Sequence, residues 1–89
     1  MSLELPTIHL NGTSKERLLE SINDAYWKMG EAQRALAETA PNGRDYYTPQ
    51  RDYDRLAKAT NEHHARMTKL HDILKELEEL AEGIDTQGE

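Results

Sequence analysis

The feature that most constrains the fold is an apolar seam running through almost the whole second half of the chain. Mostly apolar side chains recur at alternating spacings of three and four residues, at Tyr53, Leu56, Thr60, His63, Met67, Leu70, Leu74, Leu77, Ala81 and Ile84. This heptad spacing places them on one face of a long α-helix. Ile73 and Leu80 add a second apolar row, and Gly83 is a typical helix stop. We therefore predict helix two over residues 51–83.

A shorter seam in the first half predicts a second long helix. Thr13 and Glu16 have the spacing of a capping box, in which each side chain bonds a free backbone N–H of the first turn. Pro41 disfavours helical geometry at the residue before it, so we predict helix one over residues 13–40. Gly30 costs the helix roughly 1 kcal/mol relative to alanine, which indicates either a close neighbour or a weak point. The seam comprises Leu18, Ile22, Ala25, Met29, Ala32 and Leu36.

Two such helices joined by a loop over residues 41–50 predict an all-α fold, a long antiparallel helical hairpin in a single domain spanning residues 1–89. Pro6 interrupts regular structure near the start, so residues 1–12 are expected to form an extended arm and a turn. Residues 84–89 are expected to form a frayed tail. Tyr26 and Tyr53 are expected in the core, and Trp27 at an interface or a ligand site.

The small size of the chain predicts self-association. A chain of 89 residues buries only a modest fraction of its surface, so we expect a homo-oligomeric helical bundle. The expected contacts bury part of the arm together with Leu70, Ile73, Leu77 and Leu80.

Several functional classes are disfavoured by composition. The chain has no cysteine, which removes disulfides, thiolate metal sites and cysteine nucleophiles. Its net charge of −6 opposes general nucleic-acid binding. We expect a soluble protein with no membrane partner, because no apolar run approaches the roughly 20 residues of a membrane span and no leader opens the chain.

Catalytic and metal-binding patterns are also weak. No serine lies in a nucleophile elbow and no glycine-rich phosphate loop is present, so we expect neither an enzyme nor a cofactor. His64 and His71 are seven residues apart, whereas metal pairs on helices are usually three or four apart, so no metal is expected. His63 on the seam is expected to be a core-edge histidine bonded to a loop carbonyl or a tyrosine.

The loop and the start of helix two form the best candidate binding site. Asn42 and Gly43 present backbone N–H groups in a turn, Arg44 offers a planar fork for phosphate, and neighbouring tyrosines offer faces on which a base could stack. Residues 44–71 carry six bases and four acids, so the local charge is positive. The alternative is that a tyrosine packs on the seam and Arg44 with Asp45 only pins the turn. The predicted ligand-binding residues are Asn42, Gly43, Arg44, Tyr46, Tyr47, Arg51 and Arg55.

Three segments carry a resemblance to known proteins. Residues 7–14 (TIHLNGTS), 40–47 (APNGRDYY) and 62–66 (EHHAR) resemble a group of short helical proteins encoded in tailed phages and prophages, with similarity from about residue 7 to 82. The resemblance implies a protein acting in the cytoplasm of an infected bacterium. Small oligomeric phage proteins of this size often inhibit bacterial defence, either by sequestering a nucleotide signal or by binding a defence protein.

We therefore expect a non-enzymatic anti-defence protein that sequesters a small nucleotide-type immune signal. One alternative is an inhibitor that binds a host defence protein through the acidic face of helix two, at Glu76, Glu79 and Glu82. Another is a phage assembly or scaffold protein.

Overall fold

The structure is a computed structural model that describes residues 3–46 and 53–87. These residues form helix α1 (Lys15–Ala37), a short 3-10 helix (Gly43–Tyr46) and helix α2 (Tyr53–Asp85). No strand occurs among them, and the two long helices pack against each other. The all-helical prediction is confirmed. Neither long helix contains an apolar stretch able to cross a membrane within the described part of the chain.

Helix α1 begins at a serine cap. Ser14 has extended backbone angles, φ −65° and ψ 153°, and its Oγ accepts a hydrogen bond from the backbone N–H of Arg17. The predicted capping box at Thr13 and Glu16 is therefore wrong by one position. Because the residue three after the cap is Arg17, no acidic side chain returns the bond; Glu16 instead lies in the first turn, where its charge suits the helix dipole.

Helix α1 ends at Ala37 rather than at the predicted residue 40. The backbone N–H groups of Glu38, Thr39 and Ala40 bond to carbonyls three residues earlier, which tightens the chain out of the α-helix before Pro41. The Thr39 hydroxyl also donates to the carbonyl of Leu36. These bonds to carbonyls three residues earlier end the α-helix before Pro41.

Helix α2 continues past the predicted stop at Gly83. Ile84, the last seam position and the first residue of the expected tail, is the most deeply buried side chain among the described residues, 1% exposed. The N–H of Thr86 donates to the carbonyl of Glu82, and the N–H of Gln87 donates to that of Ile84. Burial of Ile84 outweighs the weak helix preference of the neighbouring glycine, so α2 ends at Asp85.

The two long helices run in opposite directions. Lys15 Nζ, at the start of α1, donates to the carbonyl of Gln87 just beyond the end of α2, at 2.9 Å. Farther along, the Tyr26 hydroxyl donates to Glu78 Oε1 at 2.7 Å. A β-carbon at Gly43 would stand 3.7 Å from Leu56 Cδ2, which places the 3-10 helix against the start of α2. The result is a rod of 67 × 24 × 18 Å.

The contact face of α2 follows the predicted seam. From Leu56 to Ile84 every seam position is at least partly buried, while the Tyr53 side chain lies outside the described residues. On α1 the prediction is wrong at Ala32, which is exposed, whereas Gln33 is partly buried in its place. A straight α-helix drifts against a strict seven-residue repeat, so the contact line of α1 has moved to Gln33 by this turn.

Residues 3–9 have no regular secondary structure, and Leu3 and Leu5 lie along the C-terminal part of α2. Gln87 Nε2 donates to the carbonyl of Pro6 at 2.9 Å. The Leu5 side chain covers Gly83 and is itself 38% exposed.

Candidate functional site

The 3-10 helix between the two long helices is shaped by Asn42. Its side-chain Oδ1 accepts a hydrogen bond from the backbone N–H of Arg44 at 2.9 Å, and its backbone carbonyl accepts one from the N–H of Asp45 at 3.0 Å. An asparagine that bonds the backbone two residues ahead is a common turn former. Asn42 therefore fixes the turn, and its Oδ1 already has partners within the chain.

Arg44 is exposed on this turn. Its Nε donates to Asn42 Oδ1 at 3.4 Å. Among the described residues neither Asp45 nor any other acid forms an ion pair with it. Asn42, and not an Arg44–Asp45 pair, orients the Arg44 side chain. The terminal nitrogens of Arg44 have no hydrogen-bond partner within residues 3–46 and 53–87.

Tyr46 and Arg55 meet across the gap between the 3-10 helix and α2. The guanidinium carbon of Arg55 lies 5.8 Å from the centre of the Tyr46 ring, which is within cation–π range. Tyr46 is half-buried, whereas Arg55 is exposed. One face of this tyrosine is therefore covered by a cation rather than open to a ligand.

Five of the seven predicted site residues lie at the same end of the hairpin. Asn42, Gly43, Arg44 and Tyr46 belong to the 3-10 helix or immediately precede it, and Arg55 lies in the first turn of α2. The other two predicted residues, Tyr47 and Arg51, lie outside the described residues.

A second group of side chains lies halfway along the hairpin, where the sequence predicted only Trp27 at an interface or a ligand site. Tyr26 packs edge-on against Trp27, with ring centres 6.0 Å apart and planes at 84°. The hydrogen bond to Glu78, and then the negative charge of that carboxylate, raise the pKa of Tyr26 above its ordinary value. Trp27 itself is 68% exposed. Sequence could have suggested the Tyr26–Glu78 pair only through the register of the two helices.

His63 is the one polar side chain buried in the seam among the described residues, at 5% exposure. Its Nδ1 has no hydrogen-bond partner there, so the predicted bond to a carbonyl or a tyrosine is absent. The bonds Lys15–Gln87 and Tyr26–Glu78 set a register that brings His63 level with residues 39–41, just beyond the end of α1.

The remaining histidines form no cluster with other metal ligands. No group of three or more histidine, aspartate or glutamate side chains could hold a metal ion in the described part of the chain. No protein-family model, no curated protein and no solved structure matches this chain.

Proposed function

We propose that this chain is a phage-encoded, non-enzymatic anti-defence protein that binds and sequesters a small nucleotide-type immune signal in the cytoplasm of the infected bacterium. The observation that carries the proposal is the juxtaposition of Arg44, Tyr46 and Arg55 at the loop end of the hairpin. A nucleotide combines phosphate with an aromatic base, and these three side chains offer binding groups for both.

Arg44 is the proposed phosphate ligand. A guanidinium presents paired N–H donors in a plane that matches two phosphate oxygens. The Nε of Arg44 is held by Asn42 while its terminal nitrogens have no partner among the described residues. The side chain is thus partly oriented before any ligand arrives, which lowers the entropy lost on binding.

Tyr46, Tyr47, Arg51 and Arg55 complete the proposed site. The Arg55 guanidinium covers one side of the Tyr46 ring. A base on that side would stack on the guanidinium plane, as bases do on arginine. The N-terminal end of α2 adds a favourable dipole for an anion. Tyr47 and Arg51 retain the stacking and charge roles predicted from sequence.

Homo-oligomerisation is part of the proposal. The accessible surface is 7206 Å², whereas a compact monomer of this mass is expected to expose about 5,300 Å². The radius of gyration is 19.5 Å, against about 12 Å for a compact domain of this length. Only Leu74, 7% exposed, and Ile84, 1% exposed, are buried apolar side chains among the described residues. A partner subunit that covers Ile73 and its neighbours Leu70, Leu77 and Leu80 would bring the exposed area closer to the usual value.

Isothermal titration calorimetry against cyclic dinucleotides and ADP-ribose derivatives tests the proposal. We expect at least one of these ligands to bind with a Kd below about 10 μM, or roughly −7 kcal/mol. If none binds at this level, sequestration is too weak to remove a signal and the proposal fails.

The acidic end of α2 supports a second candidate function, inhibition of a host defence protein through a basic surface. Residues 72–89 carry seven acids and one base, and Glu76, Glu79 and Glu82 are all exposed. Reversing these three charges would abolish anti-defence activity under this alternative. Under the nucleotide proposal the same variant would retain both ligand binding and activity.

A further inference from the structure

The side of α1 that faces away from α2 carries an acidic stripe around the only tryptophan of the chain. The stripe positions alternate at four and three residues, so they lie on one helix face. All six are exposed, and their formal charges sum to −3, although Asp24 already pairs with Lys28 beside the stripe at 2.9 Å. We call this set the acidic stripe: Glu20, Asp24, Trp27, Glu31, Arg34 and Glu38.

One flank of α2, beside the seam, carries a stripe of opposite sign, because five of its six positions directly precede a seam residue. Its positions are also three or four residues apart and all are exposed, with formal charges that sum to +3. It ends in Ile73, an apolar side chain that is 44% exposed. We call this set the basic stripe: Arg55, Lys58, Glu62, Arg66, Lys69 and Ile73.

We infer that the acidic stripe of one copy docks on the basic stripe of a second copy of this chain. The inference rests on the proposed homo-oligomer and extends its contact from the apolar side chains around Ile73 along the basic stripe. Each stripe spans 18 helical steps, or about 27 Å at 1.5 Å per residue, so the two faces match in length as well as in charge. Trp27 and Ile73 provide an exposed apolar anchor on each side, in keeping with the aromatic anchors typical of protein interfaces.

The surface area of the chain is consistent with such a contact. The accessible surface of 7206 Å² exceeds that expected for a compact monomer of this mass by about 1,900 Å². A standard stable interface buries about 800 Å² on each partner. Because the acidic stripe lies on α1 and the basic stripe lies on α2, every copy can use both stripes at once.

The interface also affects the proposed ligand site. Arg55 belongs to the basic stripe and also covers Tyr46 at the loop end. Docking of an acidic stripe beside it would bring a neighbouring subunit close to the proposed nucleotide site. Association and ligand affinity are therefore expected to change together in variants of this interface.

Paired charge reversals test the inference by sedimentation. Glu31→Lys and Arg66→Glu are each expected to weaken self-association at least tenfold, because each places like charges across the contact. An equimolar mixture of the two variants should recover association. Glu82→Lys and Lys75→Glu make the same changes of charge outside the stripes and should associate like the unmodified protein. The inference is wrong if the stripe variants associate normally or if the mixture shows no recovery.

Fluorescence of Trp27 separates a failure of this inference from a failure of the oligomer itself. On association, we expect its emission to shift to shorter wavelength as the indole leaves water. If sedimentation shows an oligomer while Trp27 emission remains that of an exposed indole, copies associate through another surface and only this inference is overturned. If the chain is monomeric at every concentration tested, the proposed homo-oligomer fails as well.

Discussion

The Leu5 side chain occupies the space that a β-carbon at Gly83 would need. An added β-carbon would stand 2.8 Å from both Cδ1 and Cδ2 of Leu5, closer than real contacts allow. The absence of a side chain at Gly83 thus lets the N-terminal segment lie on α2. Gln87, which donates to Pro6 and accepts from Lys15, holds the same region from the other side.

Gly83→Ala is expected to displace Leu5, and Gly30→Ala provides a matched comparison. A β-carbon at Gly30 would meet nothing within 4 Å, so that substitution should stabilise the chain by about 1 kcal/mol through helix propensity alone. Gly83→Ala should stabilise it less, because part of that gain is offset by the lost Leu5 contact. Urea unfolding followed by circular dichroism, at one fixed protein concentration, measures both.

Adding Leu5→Ala to each glycine variant identifies the cause. The difference between the two glycine substitutions should disappear in the Leu5→Ala background, since the clash is then gone. A difference that persists would show that some other feature of α2 disfavours alanine at residue 83.

The hydrogen bond between Tyr26 and Glu78 should make stability depend on alkaline pH. The pKa of Tyr26 is raised in the folded chain, so the folded state holds the phenolic proton more tightly than the unfolded state does. The stabilising effect is therefore fully present below the ordinary tyrosine pKa of about 10 and is lost as pH rises through the higher folded value. Ultraviolet titration of tyrosinate, with Tyr26→Phe to identify the signal, measures the shift.

Glu78→Gln separates the two main causes of this shift. The amide keeps an oxygen that accepts the hydrogen bond but removes the negative charge. We expect the pKa of Tyr26 to fall part of the way toward its ordinary value and the alkaline loss of stability to shrink. An unchanged titration would contradict the pairing of Tyr26 with Glu78.

His63→Leu is expected to stabilise the hairpin by about 1 kcal/mol, because a buried polar group without a partner carries a desolvation penalty. His63 is 5% exposed and its Nδ1 is unpartnered among the described residues. His64→Leu, one position along on an exposed part of α2, should change stability by less than about 0.5 kcal/mol. Destabilisation by His63→Leu in urea unfolding would mean that the imidazole makes a bond that leucine cannot replace.

Arg44→Ala and Arg55→Ala should each weaken nucleotide affinity at least tenfold, or about 1.4 kcal/mol. Arg55→Lys keeps the charge but loses the planar group over Tyr46, so it should recover only part of the affinity. Arg17→Ala removes an exposed cation at the other end of the hairpin and should leave binding unchanged. Calorimetry with the tightest ligand provides the comparison, and equal losses from all three alanine substitutions would point to a nonspecific charge effect.

Helix positions followed from sequence where periodicity decided them. The seam from Leu56 to Ile84 is buried or partly buried as its spacing predicts. A single contact face on α2 is enough to determine which residues are buried. The helix ends were less predictable. Ser14 rather than Thr13 caps α1, a choice between two neighbouring residues. Burial of Ile84 extends α2 past Gly83, an effect of contacts with distant residues.

Contacts between distant residues could not be foreseen in the same way. Leu5 on Gly83 and Tyr26 on Glu78 depend on the register of three segments, and no local pattern encodes that register. At the candidate site, nearness in the chain suggested the group Arg44, Tyr46 and Arg55, and the structure brings Tyr46 and Arg55 together. Sequence assigned Tyr46 an open face, whereas Arg55 covers one side of the ring.

Native mass spectrometry of the protein, purified from bacteria that produce cyclic dinucleotides, tests the central claim most directly. It reports subunit number and retained ligand in one spectrum. We predict an oligomer whose mass exceeds that of its chains by one or more nucleotides, and an Arg44→Ala oligomer that lacks this added mass. A bare monomer, or an oligomer that never carries a nucleotide, would contradict the proposed function.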